Sequence, residues 1–106
     1  MDPRLQRVRA VRFRELHEGP GILVLANAWD VGSARIFEQA GSKAIGTTSA
    51  GIAASLGLPD GECINRAAML NTVRAIALSV AVPVTADVEA GYGDTVDAPR
   101  RPPKPC

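Results

Sequence analysis

The chain predicts an α/β fold built on a parallel sheet, and three observations carry that expectation. Short apolar runs recur along the sequence, and the stretches between them repeat apolar residues at helical spacing. Each run ends in hydroxyl, acidic or glycine residues of the kind that shape a site. Aromatic residues make up only 4% of the chain against 46% hydrophobic, and the Ala, Val and Gly that fill the difference suit helices packed closely on a parallel sheet better than an all-β sandwich. At 106 residues the chain is one domain at most, near the lower size at which a single core suffices.

The elements follow in order. Residues 1–14 hold five Arg against one Asp, and Leu5, Val8, Phe13 and Leu16 form a loose helical stripe, so a leading helix with a solvated basic face is expected. In "GILVLANAWD" the apolar run from Ile22 to Ala26 predicts a first strand buried on both faces. Asp30 and Ser33 stand where helix N-caps belong, and Gly41 closes "SARIFEQAG" at a C′ position. "KAIGTTSAG" predicts a second strand, and "IAASLGLPDGE" a loop or short helix. From Ile64 to Val80, Met69, Val73, Ile76, Ala77 and Val80 recur at helical spacing, and "AVPVTADV" follows as a third strand. The βα-βα-β order implies right-handed crossovers.

Charge and cysteine usage narrow the function. Residues 15–97 carry ten acids and four bases, and this acidic body points to a cation or a cation-bridged small molecule rather than nucleic acid. No apolar run approaches the 18 or more residues of a membrane span, and the basic start lacks the apolar continuation of a signal peptide. Cys63 and Cys106 match no metal or redox spacing, so a reduced, cytoplasmic chain is expected.

In parallel α/β folds the ligand site lies at the carboxyl ends of the strands, which would bring Asn27 to Asp30, Thr47 to Gly51 and Asp87 to Gly93 to one mouth. At the end of the third strand, Asp87 and Glu89 are expected to face the same side, because side chains alternate with a period of two. They would then share a cation or a proton, and oxygen-only ligands suit Mg²⁺ or Mn²⁺. Gly91 and Gly93 let the backbone turn away from such a ligand. Trp29 is expected to pack at the mouth, Asp30 to cap a helix, and His17 to lie exposed.

Taken together, "LANAWDVGSARIFEQAG", "TTSAGIAASLGLPDG" and "VPVTADVEAGYGD" resemble the N-terminal part of the isocitrate lyase and phosphoenolpyruvate mutase family, over residues 15 to 97. The resemblance implies the N-terminal portion, about three βα units, of a (β/α)8 TIM-type barrel. It implies Mg²⁺-dependent making or breaking of C–C or P–C bonds beside the carbonyl of a small 2-oxo acid or phosphonate, in enzymes that are usually homo-oligomeric. Carried over residue by residue, it places the metal on Asp87 and Glu89, where several lyases have a second Asp. It places the substrate carboxylate on Thr48, Ser49 and Ala50, where lyases often have Ser-Gly-Gly, and a catalytic acid at Asp60 in "LGLPDGE".

From Pro99 the chain reads "PRRPPKPC", which no helix can adopt, so 1–97 is expected to be a partial barrel and 98–106 a disordered tail outside the family pattern. A full barrel runs to about 250 residues. The expectation is therefore a truncated family member that is inactive alone, the alternatives being a non-catalytic interaction module or a small metal-binding domain.

Overall fold

A computed structural model describes residues 1–91; residues 92–106, which include Gly93 and the Pro/Arg-rich tail, lie outside the described residues. Seven elements follow one another: α1 (Pro3–Glu18), β1 (Ala26–Ala28), α2 (Val31–Gln39), β2 (Ile45–Thr47), α3 (Ser49–Ser55), α4 (Arg66–Ser79) and β3 (Val84–Thr85). The strands are parallel in the order β1-β2-β3, with Ala26 opposite Ile45 and Ile45 opposite Val84. An α/β unit with a parallel sheet is thus what the sequence predicts.

Local chemistry sets the boundaries. Asp2 caps α1 by accepting the Arg4 N–H at 2.8 Å, with Pro3 at the first helical position, where its missing N–H costs nothing. Asp30 caps α2 in a full capping box: its carboxylate accepts the Ser33 N–H at 2.7 Å, while Ser33 Oγ accepts the Asp30 N–H at 3.2 Å. Gly41, at φ 103°, ends that helix in the left-handed conformation that its position after Ala40 requires. Asn65 caps α4 by accepting the Ala68 N–H at 2.8 Å.

Two apolar clusters form the core. Ala28, Ala34, Ile45, Ile76 and Val80, joined by Phe37, Val82 and Val84, seal α2 and α4 against one face of the sheet. Ile52, Ile64 and Met69, with Leu58, Val73 and Val88, form a second cluster around α3 and α4. Ile45, Ile52, Met69 and Ile76 are fully buried, each contributing about 1.5–3 kcal/mol of burial. The asparagine of β1 lies over the glycine of β2: a Cβ at Gly46 would stand 2.6 Å from Asn27 Oδ1.

Two strand expectations change. The run Ile22 to Ala26 does not form the first strand, which instead begins at Ala26; Ile22 is 92% and Val24 74% exposed. Burial on both faces requires partner strands and covering layers, and among the described residues β1 pairs only through Ala26–Ala28 with β2. The third strand ends at Thr85, two residues before Asp87. The stripe expected on α1 is split: Phe13 and Leu16 are half-buried, whereas Leu5 and Val8 are exposed and α1 has no fully buried residue. Arg9 on its inner side donates from Nη1 to Ala77 O at 2.9 Å, satisfying a carbonyl in the last turn of α4.

Candidate functional site

The carboxyl ends of the three strands are tied together by short polar contacts. Thr48 N–H donates to Ala28 O at 3.0 Å, joining the residue after β2 to the last of β1. Thr48 then caps α3, its Oγ1 accepting the Gly51 N–H at 3.1 Å. Gly51 is a close approach as well, since a Cβ there would meet Thr48 Cγ2 at 2.7 Å and Trp29 Cβ at 3.1 Å. Any larger residue at 51 would push the cap or the indole away from the strand ends. Trp29 meets Phe37 edge to face, with centroids 6.1 Å apart, in the packing role expected of it.

β3 is drawn into the same arrangement through Asp87. Its N–H donates to Thr47 Oγ1 at 3.0 Å. Its carboxylate accepts the hydroxyl of buried Ser49 at 2.8 Å and the Ser49 N–H at 3.2 Å, both on Oδ2, and the Glu89 N–H at 3.1 Å on Oδ1. Foremost the Ser49 hydroxyl, then the Glu89 N–H, hold the Asp87 carboxyl below its usual range; slight burial opposes this, and the Ser49 N–H adds to it. Asp87 is accordingly an ionised, largely exposed carboxylate of fixed orientation.

The turn beyond it is compact. Glu89 adopts φ 49° and Gly91 φ 89°, and Gly91 N–H donates to Val88 O at 2.7 Å. Because Glu89 is left-handed, the alternation that would aim both carboxylates to one side does not apply: the two acids share a turn, joined by the Glu89 N–H on Asp87. Glu89 is exposed.

The structure therefore brings Thr48, Ser49, Ala50, Asp87 and Glu89 into one neighbourhood. Ser49 turns its hydroxyl and N–H toward Asp87, while Ala50 is exposed at the first turn of α3. Asp60 lies exposed in the loop between α3 and α4, where its carbonyl lies 4.0 Å from Cys63 Sγ. The same loop reaches the 87–91 turn through Glu62, whose Oε1 accepts the Ala90 N–H at 2.9 Å.

Sequence reasoning set Thr47 at the mouth without a role and passed over Glu62. Thr47 is the last residue of β2, where an inward hydroxyl can reach the neighbouring strand end; Glu62 sits in "PDGE" at φ 65°, a conformation the preceding Asp-Gly hints at.

Two acids with oxygen-only side chains fit a hard divalent cation, and the geometry at Asp87 supports the fit. A carboxylate offers about four lone-pair positions, and among the described residues three donors occupy them, leaving room on Oδ1. No group of three or more His, Cys, Asp or Glu converges among the described residues, so a cation here would complete its shell with water or substrate oxygens.

The comparisons with known proteins agree with one another. The family model described as phosphoenolpyruvate phosphomutase matches residues 13–101. An uncharacterised protein of Mycobacterium tuberculosis is 43% identical over 86 residues, covering 81% of this chain and 33% of that protein. The 2-methylisocitrate lyase of Halalkalibacterium halodurans is 28% identical over 98 residues, covering 92% of this chain and 33% of the lyase. The crystal structure of phosphoenolpyruvate phosphomutase from Streptomyces platensis subsp. rosaceus superposes with a TM-score of 0.75 at 37% identity, over 79% of this chain and 29% of that one. The chain thus spans about a third of the length of the curated relatives it matches.

Proposed function

The chain belongs to the phosphoenolpyruvate phosphomutase family, as the N-terminal portion of a (β/α)8 barrel, and from that premise we propose that its strand-end edge is the cation- and carboxylate-binding part of a site for a small 2-oxo acid or phosphonate. The reaction class is the making or breaking of a C–C or P–C bond next to a carbonyl. Relatives named 2-methylisocitrate lyase, phosphonopyruvate hydrolase and 2,3-dimethylmalate lyase support that class. The observation that carries the reading is Asp87, a carboxylate held ionised and oriented by Ser49 and Glu89 where β2 and β3 end.

In this reading Asp87 and Glu89 would hold Mg²⁺ or Mn²⁺, which supplies Lewis-acid polarisation of the substrate's carbonyl. Thr47 and Ser49 fix Asp87 from two sides, so its carboxylate would meet a cation without reorganisation. Thr48 and Ala50, at the start of α3 beside Ser49, would receive the substrate carboxylate. Asp60, exposed on the adjoining loop, would serve as the base or as the anchor of a water.

Oxalate, a planar mimic of a 2-oxo acid's enolate, provides the test. Titrated with Mg²⁺ into the isotope-labelled chain, it is expected to shift the amide signals of Thr48, Ser49 and Ala50, and to do so only with the cation present. Shifts that are the same without Mg²⁺, or that miss 48–50, contradict the reading.

A further inference from the structure

We propose that Glu62 is a positioning residue for the cation-facing turn: by holding the Ala90 N–H it fixes the backbone that presents Glu89, and it locks the Asp60 loop to that turn. The inference rests on the cation-binding reading of Asp87 and Glu89.

Four observations lead to it. First, the bond from Ala90 N–H to Glu62 Oε1, 2.9 Å long, spans 28 positions of sequence and links two loops that share no strand pairing. Second, beyond Asp87, whose N–H is held by Thr47 Oγ1, the Glu89 and Gly91 N–H groups bond within the turn, to Asp87 Oδ1 and Val88 O, whereas the Ala90 N–H is bonded by a residue outside it. Third, both ends of the grip carry left-handed residues with side chains, Glu62 at φ 65° and Glu89 at φ 49°. Such conformations are disfavoured for residues other than glycine and persist where surrounding contacts hold them. Fourth, the grip is backed by apolar packing, since Leu58 from the loop and Val88 from the turn both pack on the Ile52, Ile64 and Met69 cluster.

The consequence is directional. With Glu62 in place, the turn is held at Val88 from the core and at Ala90 from the loop, and Glu89 lies between these two fixed points. Without it, the Ala90 N–H turns to water and the backbone on the C-terminal side of Glu89 loses its link to the Asp60 loop. Because Asp60 stands two positions before Glu62, the same contact sets where that carboxylate can reach.

The test measures Mn²⁺ affinity by calorimetry and Ala90 amide exchange by NMR on the full chain, for wild type, Glu62→Ala, Glu62→Gln and Asp87→Asn. Glu62→Ala is expected to weaken Mn²⁺ binding roughly fivefold and to speed Ala90 exchange by a similar factor. Glu62→Gln keeps an acceptor oxygen and should restore most of both, which a loss of negative charge alone would not allow. If Glu62→Ala leaves Mn²⁺ affinity unchanged while Asp87→Asn abolishes it, the positioning role is overturned and the cation reading stands. If Asp87→Asn has no effect, the cation reading fails and the positioning role with it. Unchanged Ala90 exchange in Glu62→Ala overturns the grip itself, whatever the metal does.

Discussion

The carboxyl ends of the strands and the segment that leads into β1 are built from similarly apolar sequence, yet they fold to opposite ends of the burial scale. In β2 and the helix that follows its carboxyl end, Ile45 and Ile52 are fully buried, Thr47 and Ser49 nearly so, and polar atoms of Thr47, Thr48, Ser49 and Asp87 are paired. In the approach to β1, Ile22 and Val24 stand exposed, and on α1 so do Leu5, Val8 and Val11. Hydrophobicity offers burial, but a partner surface decides it. The strand-end residues have one in α3, α4 and the neighbouring strands, and among the described residues the 22–25 segment does not pair with a strand.

The largest expected effect tests that contrast directly. Ile45→Ala should lower unfolding free energy by about 2–5 kcal/mol, since it empties a fully buried site at the centre of the sheet. Ile22→Ala should change it by no more than about 0.5 kcal/mol, as a surface substitution does. Urea denaturation of the two variants decides between them. Equal losses would mean that the approach to β1 is covered in solution and would erase the comparison.

A smaller effect sharpens the polar half of it. Ser49→Ala removes the hydroxyl that chiefly depresses the Asp87 carboxyl, at a cost of about 1 kcal/mol for the lost hydrogen bond. The sign with pH follows from the direction of the shift. A carboxyl depressed in the folded state stabilises above its unfolded value of about 3.9, and that contribution disappears as pH falls through the lower folded value. The gap between wild type and Ser49→Ala is therefore expected to be full at neutral pH and to close in acid. A gap independent of pH would mean that Ser49 stabilises by packing rather than through Asp87.

How much of this was legible in the sequence varies with the physical origin of each feature. Asp30, Ser33 and Gly41 act within a turn or two of themselves, so cap and stop could be read directly. The spacing of Met69, Val73, Ile76 and Val80 reports one helix face, and α4 follows it. Strand β1 was misplaced toward Ile22 because a run of apolar residues records suitability for burial, whereas the strand's extent is set by which residues β2 can pair. The neighbourhood of the candidate site was legible as residue types at strand ends, which set Thr47 to Gly51 beside Asp87 and Glu89. Its internal wiring was not. That Ser49 would spend its donors on Asp87, and that Glu62 would reach Ala90, depends on loops meeting across 38 and 28 positions, which no local pattern encodes.

The account turns on Asp87 facing a cation at this edge, and paramagnetic broadening by Mn²⁺ addresses it most directly. Added in small amounts to the isotope-labelled chain, Mn²⁺ is expected to broaden the amide signals of residues 48–50 and 87–90 first, to leave those of Ile76 and Ala34 sharp, and to lose this pattern in Asp87→Asn. Broadening centred on another acidic stretch, such as Glu15 and Glu18 of α1, or unchanged by Asp87→Asn, would contradict it.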